Sequence, residues 1–103
     1  MYMFIYVTAG DEEEAKKLAR ELLESKLVAC VNMFPIKSMY WWEGKIEEEK
    51  EVGMILKTKA ERFKELRERI KETHSYETPC ICAFAVDDGL KEYFDWIESS
   101  LSD

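Results

Sequence analysis

A chain of 103 residues folds as one domain with a single modest core and has no room for separate substrate and cofactor domains. Lys and Arg number 15 against 22 Asp and Glu, and the resulting formal charge of -7 excludes the clustered basic surface that capture of a nucleic-acid backbone requires. A hydrophobic share of 47% with only four Gly and two Pro describes a packed protein, not a linker or a disordered tail. Residues 1–103 are therefore read as a single domain.

Tyr2-Met3-Phe4-Ile5-Tyr6-Val7 is apolar or aromatic at every position, the pattern of a central strand buried on both faces. Gly10 punctuates, and Asp11-Glu12-Glu13-Glu14 sets four carboxylates at the start of a helix, where they suit its positive end. Ala15, Leu18, Ala19, Leu22 and Leu23 follow at helical spacing, and that helix is expected to run to about Lys26. Val28 to Trp42 and Lys45 to Lys59 read as the arms of a long hairpin turned at Glu43-Gly44. Fully extended, each arm would reach about 50 Å, against about 35 Å across a compact body of this size, so part of the hairpin must leave the body. Pro35 marks the first arm as an edge strand or a bulge, and Gly53 marks a close backbone approach or a second bulge.

A second helix is expected over Ala60 to Thr73, with Phe63, Leu66 and Ile70 on its buried stripe. Cys80 to Val86 is again apolar on both sides, with Cys80, Cys82, Phe84 and Val86 one way and Ile81, Ala83 and Ala85 the other. Leu90, Tyr93, Phe94, Ile97 and Leu101 give a terminal helix. The order β-α-β-β-α-β with an added helix predicts an α+β, ferredoxin-like split βαββαβ sandwich with a C-terminal helix and a long hairpin between its second and third strands. Both crossover helices then lie on one sheet face. The other face is left bare yet apolar, and covering a few hundred Å2 of it is worth several kcal/mol per subunit at about 25 cal/mol per Å2, so self-association is expected.

An RNA-binding module on this fold needs aromatics on its third strand, where this chain has Glu51-Val52-Gly53-Met54-Ile55-Leu56. An acylphosphatase-like enzyme needs an Arg-bearing phosphate loop after the first strand, where this chain has Thr8-Ala9-Gly10-Asp11-Glu12. No nucleophile-base set, paired-carboxylate cleft or glycine-rich phosphate loop can be assembled from spacing, so the chain is read as not an enzyme. His74, the single histidine, ends the second helix beside Tyr76 and Glu77 and is a candidate metal ligand or a helix cap. Cys80 and Cys82, two apart, resemble a clip for a thiophilic ion, with inert buried thiols as the plainer reading. Tyr40-Trp41-Trp42, on the projecting part of the hairpin, reads as an anchor in a neighbouring subunit or as a stacking platform. Three cysteines, an odd number, argue for a reducing compartment and a cytoplasmic home. No apolar run approaches the roughly 20 residues of a membrane span. Charged residues at 36%, mostly Glu and Lys, suit a heat-resistant protein.

Leu27-Val28-Ala29-Cys30-Val31-Asn32, then Tyr40-Trp41-Trp42-Glu43-Gly44-Lys45-Ile46-Glu47, Leu56-Lys57-Thr58 and His74-Ser75-Tyr76-Glu77-Thr78-Pro79, in that order and spacing, resemble the CutA divalent-cation-tolerance family over nearly the whole chain. The resemblance implies a homotrimer, PII-like in architecture, whose hairpins interlock the subunits and whose role lies in tolerance of copper and other divalent cations. It implies a metal ion, copper among the candidates, or a small effector held in clefts between subunits. The ligands proposed for bacterial members, a Cys and an adjacent His pair, fall on Val7, Thr73 and His74, so only His74 is retained. The metal-ligand set read here is His74, Cys30 and Glu77, with Tyr40, Trp41, Trp42 and Tyr76 at the subunit interface or effector cleft. The alternative is a PII-like signalling or scaffold module that takes a small molecule or protein partner without a physiological metal.

Overall fold

The computed structural model describes residues 1–102; Asp103, the last residue of the predicted domain, lies outside the described residues. In chain order the elements are β1 (Tyr2–Ala9), α1 (Glu12–Glu24), β2 (Cys30–Trp42), β3 (Lys45–Lys59), a 3-10 turn (Ala60–Arg62), α2 (Phe63–Thr73), β4 (Ile81–Ala85) and α3 (Lys91–Leu101). The strands form one antiparallel sheet in the order β2-β3-β1-β4. This is the predicted ferredoxin-like α+β arrangement, with β1 in the interior of the sheet and β2 at its edge.

Strand alternation divides β1 between two environments. Ile5, Val7 and Ala9 are fully buried and pack with Leu18, Leu22, Leu66 and Ile70 of α1 and α2, together with Met54 and Leu56 of β3. Phe4 and Tyr6 point to the opposite face, in register with Phe84 and Cys82 of β4 and with Lys57 and Ile55 of β3. The third helix is placed on this second face. Tyr2 stacks on Phe94 with ring centroids 4.5 Å apart, and the Lys57 ammonium lies 5.4 Å from the ring centres of both Phe4 and Tyr93. Ile97 and Leu101 are buried there against Ala29. The expected bare face is thus capped at its Tyr2 end and open beyond it, where Phe4, Tyr6, Ile55 and Phe84 line an apolar hollow of about 300 Å3.

Helix α1 begins where Asp11 accepts a hydrogen bond from the Glu14 N–H at 2.8 Å. It stops at Glu24, short of the expected end near Lys26, because Lys26 turns into the left-handed region at φ 61°. The Lys26 N–H then donates to the Leu23 carbonyl and the Leu27 N–H to the Leu22 carbonyl, a Schellman closure with a lysine in the place usually taken by glycine. The Lys26 ammonium reaches the Ser100 carbonyl in α3 and not its own helix end. Arg62 fastens the same corner, donating to the Lys26 carbonyl at 2.9 Å and the Leu101 carbonyl at 3.1 Å.

Ile36 to Trp42 pairs with Lys45 to Glu51 with no third strand alongside, so about 20 Å of two-stranded ribbon projects from the sheet. The molecule measures 45 × 25 × 21 Å with a radius of gyration of 14.4 Å, above the roughly 13 Å of a compact chain of this length. Positive φ at both Glu43 and Gly44 makes the two-residue turn that right-twisted arms favour. The register runs unbroken through Pro35 and Gly53, so neither is a bulge. Pro35 is tolerated by its place on the edge strand. At Gly53 a Cβ would stand 2.5 Å from the Phe34 ring, so the glycine makes room for a side chain and not for the close backbone approach expected.

Candidate functional site

The polar residues converge where β1 ends, between the start of α1 and the loop that follows α2. Glu14, in the first turn of α1, accepts the Gly10 N–H on Oε1 and the Ser75 N–H on Oε2, each at 2.9 Å. His74 caps the end of α2 with its side chain fully buried. Its Nε2 lies 2.6 Å from the Thr8 carbonyl, which can only accept, while Nδ1 accepts the Tyr76 N–H at 3.0 Å. That pairing fixes a neutral imidazole with its proton on Nε2. The Glu14 Oε2 stands 3.8 Å from Nδ1, and the Tyr76 hydroxyl donates to Glu51 Oε2 at 2.6 Å.

One network therefore ties β1, α1, β3 and the loop after α2 together. Partial burial pushes the Glu14 carboxyl up, but the hydrogen bonds from Ser75 and Gly10 outweigh it and hold it below the ordinary value. Burial raises the Tyr76 phenol far above its ordinary value, and the Glu51 carboxylate raises it further, so it stays a donor. Gly10, Asp11, Glu14, Lys17, His74 and Ser75 border an open groove of about 730 Å3 over this network.

The three predicted metal ligands are held apart within one chain. Cys30 opens β2 opposite Lys57, with the Asn32 amide 3.9 Å from its sulfur. That lies about 13 Å along the sheet from the Gly53 level, where Thr8 meets His74. Glu77 is exposed in the loop before β4. Among the described residues no three His, Cys, Asp or Glu side chains converge in a way that could hold an ion. The ring cluster is divided by strand alternation: Tyr40 and Trp42 share one side of the ribbon and Trp41, 74% exposed, takes the other. Tyr76 is drawn into the polar network instead of standing free for stacking. Glu14 and Glu51 escape sequence reading because one passes for a helix-start charge and the other for part of a solvated charge run.

Fold and exposed surfaces together define a ferredoxin-like α+β protein that leaves an apolar sheet face and a projecting ribbon uncovered. The chain belongs to the CutA1 divalent ion tolerance protein family, whose model matches residues 3–100. A divalent-cation tolerance protein CutA of Archaeoglobus fulgidus is 56% identical over 101 residues, covering 98% of this chain and 99% of that one. That of Thermococcus kodakarensis is 50% identical over 95 residues, covering 92% and 91%. The solved structure from Archaeoglobus fulgidus, described as a periplasmic divalent cation tolerance protein, superimposes with a TM-score of 0.97 over 99% of this chain and all of that one, at 56% identity. The CutA1 structure from Pyrococcus horikoshii gives 0.95 at 44% identity, over 98% and 99%. Among the described residues no helix is long and apolar enough to cross a membrane.

Proposed function

We propose that this chain acts in the tolerance of divalent cations as a cytoplasmic homotrimer that holds a metal ion or small effector in clefts between its subunits, with no catalytic step. The observation that carries the reading is the open part of the sheet's second face. Phe84 is 59% exposed there beside Phe4, Tyr6 and Ile55, and a lone chain in water gains by covering such a surface. Copies clasped on that face and on the ribbon would bring donors from different chains to one seam. Cys30 is half-buried on β2 and Glu77 is exposed before β4, so both would be open to a neighbouring copy without leaving a core. His74 takes part only by exchanging one of its two ring hydrogen bonds, so ligation through it competes with the local fold.

Sedimentation at micromolar concentration is expected to give three times 12.2 kDa. Equilibrium dialysis with Cu(II) and Zn(II) is expected to show binding that weakens in Cys30→Ser and His74→Ala variants that keep their mass. A single-chain mass defeats the assembly; affinity equal to wild type in both variants removes these residues from the metal site.

A further inference from the structure

The projecting ribbon is tied to the body at one point beyond its own ladder. Glu51, half-buried, pairs with Ile36 at the ribbon's root, and one step further in Val52 already meets Ala9 of β1. The Glu51 Oε2 accepts the Tyr76 hydroxyl at 2.6 Å, and among the described residues this is the one side-chain hydrogen bond that joins the ribbon to another element. Tyr76 is held at its other end by the groove. Its N–H donates to His74 Nδ1 at 3.0 Å, its ring tilts against the imidazole with centroids 4.7 Å apart, and the N–H of the preceding Ser75 is fixed by Glu14 Oε2 at 2.9 Å. A Cβ at Gly10 would stand 3.7 Å from a Tyr76 ring atom, which places the ring across the end of β1. One stiff side chain therefore spans from the groove to the ribbon's root. A two-stranded ribbon is marginally stable by itself, and such segments open locally at far less cost than a core.

We infer that the hydrogen bond from Tyr76 to Glu51 is a latch that makes the loop after α2 and the ribbon move as one unit. Latched, Glu51 fixes how the ribbon leaves the sheet. When the loop shifts, through loss of the Glu14–Ser75 or the His74–Tyr76 bond, the hydroxyl leaves Glu51 and the ribbon's root is held by its ladder alone. A molecule in the groove moves the ribbon to the extent that it competes for the Ser75 or Tyr76 N–H, since a ligand shifts an equilibrium only by its differential contacts with the two states. The coupling is reciprocal, so a ribbon seated in its latched position favours the closed arrangement of Glu14, Ser75 and His74. The device is complete within one chain and does not rest on the metal ion or the clefts proposed above.

Hydrogen exchange by mass spectrometry on the full-length protein in its native assembly tests it, with peptides from residues 36–51 read against those from residues 2–9. Tyr76→Phe keeps the ring and the N–H and is expected to speed ribbon exchange about tenfold, the lower end of what a hydrogen bond to an ionised group carries, with residues 2–9 at wild-type rates. In a Glu51→Ala background the same change should have no effect. From the groove side, Glu14→Gln should speed the ribbon relative to residues 2–9, and should cease to do so once Tyr76→Phe is present. Ribbon rates unchanged in Tyr76→Phe, an effect of Tyr76→Phe that persists in Glu51→Ala, or a Glu14→Gln effect of equal size with and without the hydroxyl each overturns the latch. None of these outcomes bears on metal affinity or on the mass of the assembly.

Discussion

Glu14 shows how one side chain can decide whether a site is a cavity or a closed network. Its carboxylate is shared between two backbone donors from loops far apart in sequence, Gly10 and Ser75, and both arrive at 2.9 Å. Glutamine keeps one acceptor oxygen but turns an amide donor toward the other N–H, so Glu14→Gln should cost about 1–3 kcal/mol at pH 7. The pH dependence has a fixed sign. The folded carboxyl titrates below its ordinary 4.5, so the native state binds fewer protons than the unfolded chain near that pH. Its stabilisation is full above about pH 4.5 and disappears as pH falls through the depressed folded value. Denaturant midpoints, measured at fixed protein concentration, should fall on acidification below pH 4.5 in wild type and fall less steeply in Glu14→Gln. Identical profiles would mean the carboxylate is merely solvated. The place of His74 at the end of α2 was legible from the sequence, but its ring does not cap the helix, and its bond to Thr8 was hidden because 66 residues separate the partners.

At the scale of elements, the glycine in β3 and the ring in β2 are a coupled pair. A methyl at Gly53 would stand 2.5 Å from one Phe34 ring atom and 2.9 Å from the next, so the ring must swing away. Gly53→Ala alone should therefore destabilise by about 1 kcal/mol or more, as overpacking does. With Phe34→Ala already in place the conflict is gone, and alanine's lower backbone entropy cost in a strand should make the same change stabilising by about 0.5–1 kcal/mol. A double-mutant cycle by denaturant unfolding reads the reversal; equal effects in both backgrounds would refute the coupling. The turn at Glu43-Gly44 was readable from the sequence; Pro35 left edge strand and bulge open, and a lone glycine in an apolar strand signalled crowding at Gly53 without showing that a ring, and not backbone, supplies it. The placement of α3 was not readable. Its apolar spacing says that one side is buried, but either sheet face would accept it, and only the stack of Phe94 on Tyr2 decides. The left-handed Lys26 was equally hidden, since a lysine at a helix end reads as a favourable charge and not as a cap.

For the whole molecule, the decisive quantity is the area that α3 fails to cover. Had the helix run the length of the second face, the single chain would be complete; instead it rests on Tyr2 and Ala29 and leaves Phe84 59% exposed, with the ribbon's Trp41 and Trp42 exposed as well. A charge at Phe84 discriminates between surface that stays wet and surface that becomes buried in an assembly. In an isolated chain Phe84→Glu replaces a mostly solvated ring and should alter folding little. In a trimer it would place an unpaired carboxylate among apolar rings, a change several kcal/mol unfavourable per site. The variant is therefore expected to sediment near 12.2 kDa at micromolar concentration with its circular dichroism preserved. Leu23→Glu, which changes a 40% exposed side chain on α1, should leave the mass at the wild-type value. If Phe84→Glu also assembles as wild type does, the face stays open to water in the working protein, and the clefts must be sought along the ribbon alone.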